Sequence, residues 1–465
     1  MSDIEKHLHT TRVGPRDGKM DSPERNRDSA VTFSSSTTLR NTDELSQPSS
    51  SKEVVEGGMK AYLTVFGAFL ALFCTFGQMN AFGTFQAWYT THQLSALDAS
   101  TISWIGSLQL WVFFFSGGPI GYMFDKYGPR VLMLVGTVLY VLSIMMTSIS
   151  KQYYQYILSQ GVLFGLGVGL LFYPSLTSVS THFVKYRATA TGLAVAGSGL
   201  GQFSDSFLGM KTSSGGVVFP IMLQNLFVNV GFDWATRISG ILCGVLCGIS
   251  VLLVTSTRPT GQTPQEFTGF KFLKDSTFML LAMGGSLVAL GCFIPYFYIV
   301  NYAQSLGISP HMAFIVLALM NAGGIFGRIV PAILSDSIGR FNLLAPCSFI
   351  AGLLVLVCWT FADNLPALIV FSVLYGFFSG SFIAVVTPCV AQISDMQEIG
   401  SRIGLMYSII SFPALVGGPI AGFILAFNHG SYNGMIVFAG TTTVAGSLLM
   451  FGAKLLINPH PFARV

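Results

Sequence analysis

Arg328 is the residue of this chain whose chemistry is best suited to binding an anion in apolar surroundings. It stands in the apolar run 310–334, which contains no Asp or Glu. A guanidinium group can hold a carboxylate through two parallel hydrogen bonds, so this position predicts an anchor for an organic acid. Two other roles are open: the side chain could extend to the membrane surface, or it could pair with Asp336.

Four neutral polar residues at comparable depth form a second group of candidate substrate-binding positions. They are Asn80, Tyr173, Tyr296 and Asn321. Polar side chains inside membrane helices most often form hydrogen bonds between helices, which is the alternative role for each of them. For Tyr173, which precedes Pro174, simple filling of the core is a further alternative.

The remaining reactive residues argue against an enzyme or a metalloprotein. No His, Cys and Asp cluster has metal-ligand spacing, and most of the seven Cys lie inside apolar runs. We find no nucleophile–base pair, no G-x-x-x-x-G-K-[ST] loop and no basic face with interleaved aromatics. We therefore expect no catalytic residues, no cofactor, no metal and no nucleic-acid partner, and we infer no obligate protein partner.

The composition indicates what kind of element positions these residues. The chain is 52% hydrophobic and only 9% charged, whereas soluble domains carry about 25% charged residues. Such a composition predicts an all-α polytopic membrane protein that works within a lipid bilayer.

Twelve apolar segments are long enough to span a bilayer, which takes about 20 residues each. Polar residues 1–58 precede them and are expected to be a disordered tail, and residues 459–465 form a short tail after them. The predicted segments are 61–84, 101–124, 131–150, 154–178, 188–229, 235–256, 277–300, 310–334, 341–361, 364–389, 403–427 and 433–457.

Lys and Arg in the connecting loops predict the orientation of the chain. Basic loop residues concentrate on the cytoplasmic side of membrane proteins. If the N-terminal tail is cytoplasmic, the loops on its side hold nine basic residues, whereas the opposite side holds Lys151 and Arg237. We therefore expect both termini to be cytoplasmic and the protein to lie in the plasma membrane. The nine residues are Lys126, Arg130, Lys185, Arg187, Arg258, Lys271, Lys274, Arg340 and Arg402.

A ten-residue motif, residues 121–130, lies between the second and third segments. Its charged members, Asp125, Lys126 and Arg130, are too costly to leave in lipid and must reach the surface. Gly128 followed by proline predicts a tight turn, and Gly121 allows close helix packing. The pattern G-x-x-x-D-[RK]-x-G-x-R resembles the loop signature of the major facilitator superfamily; the alternative is an ordinary charged turn.

A weaker copy of the motif follows the eighth segment, which indicates an internal repeat. There Asp336, Gly339 and Arg340 occupy the corresponding positions. The polar stretch 257–276 reads as a linker between two halves, 59–256 and 277–458. We therefore predict the major facilitator fold, with two pseudo-symmetric six-helix bundles and the substrate site between them.

The fifth segment is interrupted by the polar residues 202–215, which include Asp205 and Lys211. Removing them leaves a continuous apolar span. Three interpretations are open: a broken or re-entrant helix, an external bulge, or a short intron retained in the gene prediction. The last is favoured because the flanking residues join so well.

Several further motifs resemble the monocarboxylate-transporter family, chiefly its fungal branch of riboflavin importers and presumed exporters of secondary metabolites. The resemblance covers about residues 55–457. The motifs that carry it are Glu56-Gly57-Gly58, Gly67-Ala68-Phe69, G-L-G-V-G-L-L-F-Y-P at 165–174, Arg187-x-x-Ala-Thr-Gly192, Gly327-Arg328-x-x-Pro331 and Asp395-x-x-Glu398-Ile-Gly-x-Arg402.

The resemblance implies roles for individual residues. The helices that carry Asn80, Tyr296 and Asn321 bracket the central cavity in such proteins, and Arg328 matches the arginine of the animal lactate carriers. Their first-helix lysine falls on Asn80, however, and the carboxylate one turn before the arginine is Gly324 here. The chain thus keeps the cationic anchor and lacks the residues linked to proton coupling, although a coupling proton stays an open possibility.

The function expected from these features is secondary transport of a small organic acid or weakly acidic metabolite by alternating access, for example export of a secondary metabolite. The 121–130 loop would act as a cytoplasmic latch, and Asp336, Gly339 and Arg340 would form a second, weaker latch. The alternatives are a proton-coupled monocarboxylate symporter, a riboflavin-type nutrient importer, or a membrane receptor that transports nothing.

Overall fold

A computed structural model describes residues 58–202, 219–257, 269–460 and 463 of the chain. Within these ranges the chain is almost entirely helical and contains no β-strand. Ten helices in the described part are long and apolar enough to cross a membrane. The protein is therefore a multi-pass α-helical membrane protein, as its composition predicts.

The described part of the first half contains ten α-helices, and seven residues of π-helix precede α7. Short breaks at Ala81 and Ser116 divide the first and second membrane passages into two helices each. The helices are α1 (Met59–Asn80), α2 (Phe82–Thr91), α3 (Ala99–Phe115), α4 (Gly117–Tyr127), α5 (Pro129–Ile149), α6 (Tyr153–Tyr156), the π-helix Ile157–Leu163, α7 (Phe164–His182), α8 (Arg187–Gln202), α9 (Phe219–Val230) and α10 (Phe232–Leu253).

The second half repeats part of this arrangement, although its second passage, α14, is not divided. A break at Phe293, just before Pro295, divides the seventh passage as the break at Ala81 divides the first. The helices are α11 (Gly269–Phe272), α12 (Ser276–Cys292), α13 (Ile294–Ser305), α14 (Pro310–Ile338), α15 (Arg340–Leu353), the π-helix Leu354–Trp359, α16 (Leu365–Gln392), α17 (Ile399–Phe427) and α18 (Asn433–Ile457).

Most of the predicted apolar segments coincide with these helices, although many helices run several residues further. The eighth predicted segment ends at residue 334, for example, whereas α14 continues to Ile338. The hydrogen bonds of a helix pair its backbone N–H and C=O groups both in lipid and at the membrane surface. A helix can therefore continue beyond the last of its apolar side chains.

The fifth predicted segment corresponds to α8 and α9, which lie on either side of residues 203–218. The anomalous stretch 202–215 falls outside the described residues apart from Gln202. The prediction about its origin and the count of twelve spans therefore stay predictions.

Gly128 and Gly339 form equivalent turns in the two halves, between α4 and α5 and between α14 and α15. Their φ angles are +74° and +115°, which residues with a side chain rarely adopt. Each glycine ends one helix and starts the next without a longer loop. These turns hold the carboxylates of Asp125 and Asp336 at the helix ends that precede them.

Candidate functional site

The carboxylate of Asp125, at the end of α4, binds the first turn of α17 in the opposite half. Its oxygens accept hydrogen bonds from the backbone N–H groups of Gly400 at 3.0 Å and Ser401 at 2.6 Å. The Ser401 hydroxyl donates a third hydrogen bond at 2.5 Å. The first N–H groups of a helix lack partners within the helix and carry a partial positive charge, so a carboxylate is well placed there.

Four glycines allow α4 and α17 to approach closely enough for this contact. A Cβ atom added to Gly117 would lie 2.8 Å from the carbonyl oxygen of Gly404, and one added to Gly400 would lie 2.7 Å from that of Gly121. The reciprocal additions at Gly121 and Gly404 would collide with the same two backbones. Gly121 is therefore part of the contact between the halves, as its place in the motif predicts.

Asp336 makes the corresponding contact in the opposite direction, from the second half to a helix of the first half. Its carboxylate, near the end of α14, accepts hydrogen bonds from the backbone N–H groups of Ala188 at 3.1 Å and Thr189 at 2.7 Å, in the first turn of α8. Each half thus extends one carboxylate to a helix N-terminus of the other half.

Arg340 strengthens this second contact. Its guanidinium group forms an ion pair with Asp336 at 3.2 Å and donates a hydrogen bond to the carbonyl oxygen of Val184 at 2.6 Å. Gly339 supplies the turn that brings Arg340 back toward Asp336, four residues earlier. The structure therefore brings together Asp336, Gly339 and Arg340 at one contact between the halves.

Lys126 and Arg130 differ from Asp125 and Gly121 in that their side chains lie on the surface of the protein. Both side chains are exposed, and the Lys126 ammonium group lies 5.2 Å from the ring centre of Tyr127. The carboxylate of Asp125 is already occupied by the donors of α17. The proposed latch role of Lys126 and Arg130 stays a prediction.

Arg187 and Ser408 also join the halves, although the sequence did not single them out as site residues. Arg187 donates a hydrogen bond to the carbonyl oxygen of Ala391 at 2.9 Å. Ser408 donates to the carbonyl oxygen of Phe115 and accepts from the N–H group of Gly118, both at 2.8 Å. Arg187 opens a motif that could have signalled its role, whereas nothing in the sequence marks Ser408.

These contacts meet at the end of the molecule that carries the 121–130 loop, which we call the latch end. Here α4 packs against α17 and α14 packs against α8. We call the surface along which the two halves meet the seam. In this structure the seam is closed at the latch end by carboxylates, arginines and glycine contacts.

Arg328 lies in this seam, further from the latch end. It is 4% exposed and belongs to α14 of the second half. A Cβ atom added to Gly199 of α8 would lie 2.5 Å from Nη1 of Arg328, so the guanidinium group lies directly against the first half. It is separated from Asp336 by eight residues, about 12 Å along the helix axis.

Tyr296 and Asn321 flank Arg328 in the second half. The Tyr296 hydroxyl is hydrogen-bonded to that of Ser379 at 3.0 Å and would lie 3.8 Å from a Cβ atom on Gly324, one turn before Arg328. Asn321 is half-buried and precedes Arg328 by seven residues, which places it on the same helix face. The structure thus groups Arg328, Tyr296 and Asn321 around one face of α14.

Asn80 and Tyr173, the other two predicted substrate-binding residues, do not belong to this group around Arg328. Asn80 is exposed at the end of α1, and its amide donates to the carbonyl oxygen of Phe76 at 2.7 Å. Tyr173 is buried, and its hydroxyl donates to the carbonyl oxygens of Phe113 and Phe114 at 3.1 and 3.3 Å. A direct role of either residue in binding substrate stays a prediction.

The sequence pattern of the Major Facilitator Superfamily matches residues 68–357 and 280–464 of this chain. The chain belongs to the major facilitator superfamily. Among curated members of the superfamily, it is 38% identical over 406 residues to MFS-type transporter 1 of Ophiocordyceps sp. (strain BCC 1869), with 87% of each chain covered. It is also 38% identical over 403 residues to the aspyridones efflux protein apdF of Emericella nidulans, covering 86% of this chain and 79% of that protein.

A solved transporter structure has the same fold. The crystal structure of the human organic anion transporter MFSD10 (TETRAN) aligns with a TM-score of 0.65, covering 84% of this chain and 99% of that one. The sequences are only 15% identical, so this likeness concerns the fold alone. The resemblance to fungal transporters inferred from the motifs is confirmed by the curated relatives.

Proposed function

We propose that this protein is a secondary transporter that exports a small organic acid or weakly acidic metabolite by alternating access. Membership of the major facilitator superfamily supports transport, and the contacts between the halves suit a rocking motion about a central site. Asp125, Asp336, Arg187 and Arg340 each bind a backbone group of the opposite half, so opening the latch end breaks these contacts together.

The single observation that carries the substrate class is the position of Arg328. A guanidinium group, 4% exposed in a membrane protein, lies where the two halves meet. Charged groups inside membranes are costly and mark substrate pathways. An acid would meet Arg328 through two parallel hydrogen bonds, with the hydroxyl of Tyr296 nearby as a further polar group.

Export is the proposed direction because a relative of similar length is named an efflux protein for aspyridones. The cargo of this chain would then be a metabolite of its own producer cell. The latch end would face the cytoplasm, as the basic loops predict, and the membrane would be the plasma membrane. With the latch end closed, the structure would represent an outward-facing state.

The direction can be tested by deleting the gene and comparing metabolites inside and outside the cells. Export predicts that an acidic metabolite accumulates inside the deletion strain and declines in the medium. Restoring the gene should reverse both changes. A metabolite that is depleted inside the deletion strain would instead indicate uptake.

The substrate class can be tested with Arg328→Lys and Arg328→Gln, measured as transport per molecule of protein in the membrane. Both variants should lower the apparent affinity for the acid, by about tenfold or more, because each loses charge-assisted hydrogen bonds. Arg237→Lys is the matched control, since Arg237 donates to Ser148 within the first half. Unchanged affinity in both Arg328 variants would contradict the anion anchor and favour a neutral cargo.

A further inference from the structure

Pro119 interrupts the backbone hydrogen bonds of the second membrane passage. A proline has no N–H group, so the carbonyl oxygen of Phe115, four residues earlier, has no donor at position 119. The passage breaks at this point, at Ser116 between α3 and α4. Phe115 precedes Asp125 by ten residues, about 15 Å along the helix axis, so its carbonyl lies well inside the membrane. A carbonyl at that depth needs another protein donor, because lipid supplies none.

The donor for this carbonyl comes from the opposite half. The hydroxyl of Ser408 on α17 donates to the carbonyl oxygen of Phe115 at 2.8 Å and accepts from the N–H group of Gly118 at 2.8 Å. One side chain of the second half thus binds two backbone groups of the broken turn in the first half. We call these two hydrogen bonds the proline–serine contact.

Aromatic rings from both halves pack beside the proline–serine contact. The Trp111 and Phe115 rings of the first half stack with their centres 4.9 Å apart. The Phe412 ring of the second half lies 6.0 Å from the Phe115 ring and 6.1 Å from the Trp111 ring. Phe412 follows Ser408 by four residues, about one helical turn. The rings and the hydroxyl therefore join α3 to α17 at a level of the membrane different from that of the Asp125 contact.

The second half has the corresponding proline without the corresponding hydroxyl. Pro331 takes the place of Pro119 in the repeated motif, yet α14 continues through it. Counted from the N–H groups that bind the two carboxylates, Ser408 of α17 corresponds to Ala196 of α8, which has no hydroxyl. The proline–serine contact is therefore particular to the side of the seam where α4 meets α17.

The proline–serine contact can form only while α4 and α17 are together. If the halves rock apart at the latch end, Ser408 leaves Phe115, and residue 119 has no N–H group with which the helix could replace the lost bond. The open state then leaves a carbonyl unpaired that an ordinary residue at position 119 would have paired. The proline thus makes the bond from Ser408 favour one state over the other.

We propose that Pro119 and Ser408 act together as positioning residues that hold the latch end closed from within the membrane. The proline creates an acceptor that its own helix cannot satisfy, and the serine satisfies that acceptor only in the closed state. The inference rests on the proposed alternating access and adds a contact whose strength depends on the residue at position 119. The Asp125 contact has no such dependence.

The test measures the ratio of closed to open latch ends in the full-length purified protein in lipid nanodiscs. Spin labels on Tyr186→Cys and Met396→Cys report the distance across this end by pulsed electron paramagnetic resonance. Both positions are exposed, one in each half, and each shortly precedes a helix turn that binds a carboxylate of the opposite half. The chain with only its seven native cysteines sets the background. The comparison is made with Asp125→Asn, which weakens the first contact so that both states are populated.

Ser408→Ala should lower the closed-to-open ratio about fivefold, the size of one lost hydrogen bond. With Pro119→Ala also present, the further loss should be less than about twofold, because the restored N–H group pairs the carbonyl of Phe115 within the helix. With Pro331→Ala instead, Ser408→Ala should keep its full effect. Ser411→Ala is the control on α17, since its hydroxyl donates within the helix to the carbonyl oxygen of Ser408 at 2.7 Å, and it should leave the ratio unchanged.

An equal effect of Ser408→Ala with proline or alanine at position 119 would overturn the inference, because the serine would then act independently of the proline. The inference also falls if Ser408→Ala has no effect in either background while Asp125→Asn alone lowers the ratio, a result that leaves the proposed alternating access standing. If Asp125→Asn and Ser408→Ala together give only the closed distance, the proposed opening of the latch end fails and the inference fails with it.

Discussion

Two glycines lie close to Arg328, one in each half, and they differ in the space that they leave for a side chain. Gly199 lies against it from the first half, and Gly324 precedes it by one turn. A Cβ atom at Gly324 would meet only the carbonyl oxygen of Gly376 at 3.6 Å and the Tyr296 hydroxyl at 3.8 Å, which are ordinary contact distances. Position 324 can therefore accept a small side chain without displacing its neighbours, whereas a side chain at position 199 displaces Arg328 and Ile325.

Gly324→Asp should weaken acid transport by supplying Arg328 with a fixed counter-charge. The new carboxylate would stand four residues before the arginine, a spacing at which opposite charges attract on a helix. We expect the apparent affinity for the acid to fall about tenfold, the size of a lost charge-assisted hydrogen bond. Gly324→Asn has the same shape without the charge and should stay near wild type in the same transport assay. Equal losses in both variants would point to a steric effect.

Gly199→Ala should impair transport by displacing Arg328. Its Cβ atom would lie 2.5 Å from Nη1 of Arg328 and 2.8 Å from a carbon of Ile325, so these two side chains must shift. We expect a clear fall in transport rate with little loss of protein from the membrane. Gly248→Ala is the control, because no atom lies within 4 Å of a Cβ atom placed there. Wild-type transport by Gly199→Ala would show that the guanidinium group moves aside freely.

At the scale of helices, the seam is closed by two carboxylates that bind helix N-termini in the opposite half. Asp125 binds α17 through backbone donors and one hydroxyl, whereas Asp336 binds α8 and also pairs with Arg340. The two contacts are related by the internal repeat, but only the second includes an arginine that is itself buried. Their loss should therefore have different consequences.

Asp125→Asn should slow transport severely while membrane abundance stays near normal. The contact exists only while the latch end is closed, so its loss shifts the equilibrium between states by roughly 1–3 kcal/mol. Asp336→Asn should also lower abundance, because it leaves the buried guanidinium group of Arg340 without its ion-pair partner.

Both variants would be compared by transport rate and by the amount of folded protein in the membrane. Asp125→Ala serves as a reference for complete loss of the first contact. If Asp125→Asn transports at the normal rate, its contact is not a latch. If Asp336→Asn is as abundant as wild type, the ion pair contributes little to folding.

At the scale of the whole molecule, the two halves share the same order of membrane passages and several local features, although the second passage is broken at Ser116 and its counterpart α14 is continuous. The breaks at Ala81 and Phe293 and the turns at Gly128 and Gly339 repeat from one half to the other. Residues 202–215 interrupt this correspondence in the sequence, with Asp205 and Lys211 among them. A span that matches the rest of the repeat needs neither charge.

We predict that an intron covers about residues 202–215 and is removed from the mature messenger RNA. Sequencing that RNA from the producing organism tests this directly. The shortened chain should then be expressed and should transport at least as well as the chain that contains the insert. A dominant message that retains the insert would contradict the prediction, and a broken fifth helix beside the passage would be the better account.

The sequence by itself determined the helical membrane fold, the repeat, the two turns and the presence of one arginine at depth. Hydrophobicity, charge and glycine–proline turns act over a few residues, so they can be read along the chain. Arg328 was identifiable for the same reason, since a lone charge in an apolar run is conspicuous without any knowledge of its neighbours.

Only the tertiary structure decided which groups these residues meet. Asp125 binds the backbone of Gly400, 275 residues away, and Arg187 binds the backbone carbonyl of Ala391, 204 residues away. Every residue has a backbone, so such partners leave no mark in the sequence. The same holds for Ser408, which binds the backbone of Phe115 and Gly118 in the other half. These contacts depend on how the two halves meet, and no local sequence pattern specifies that.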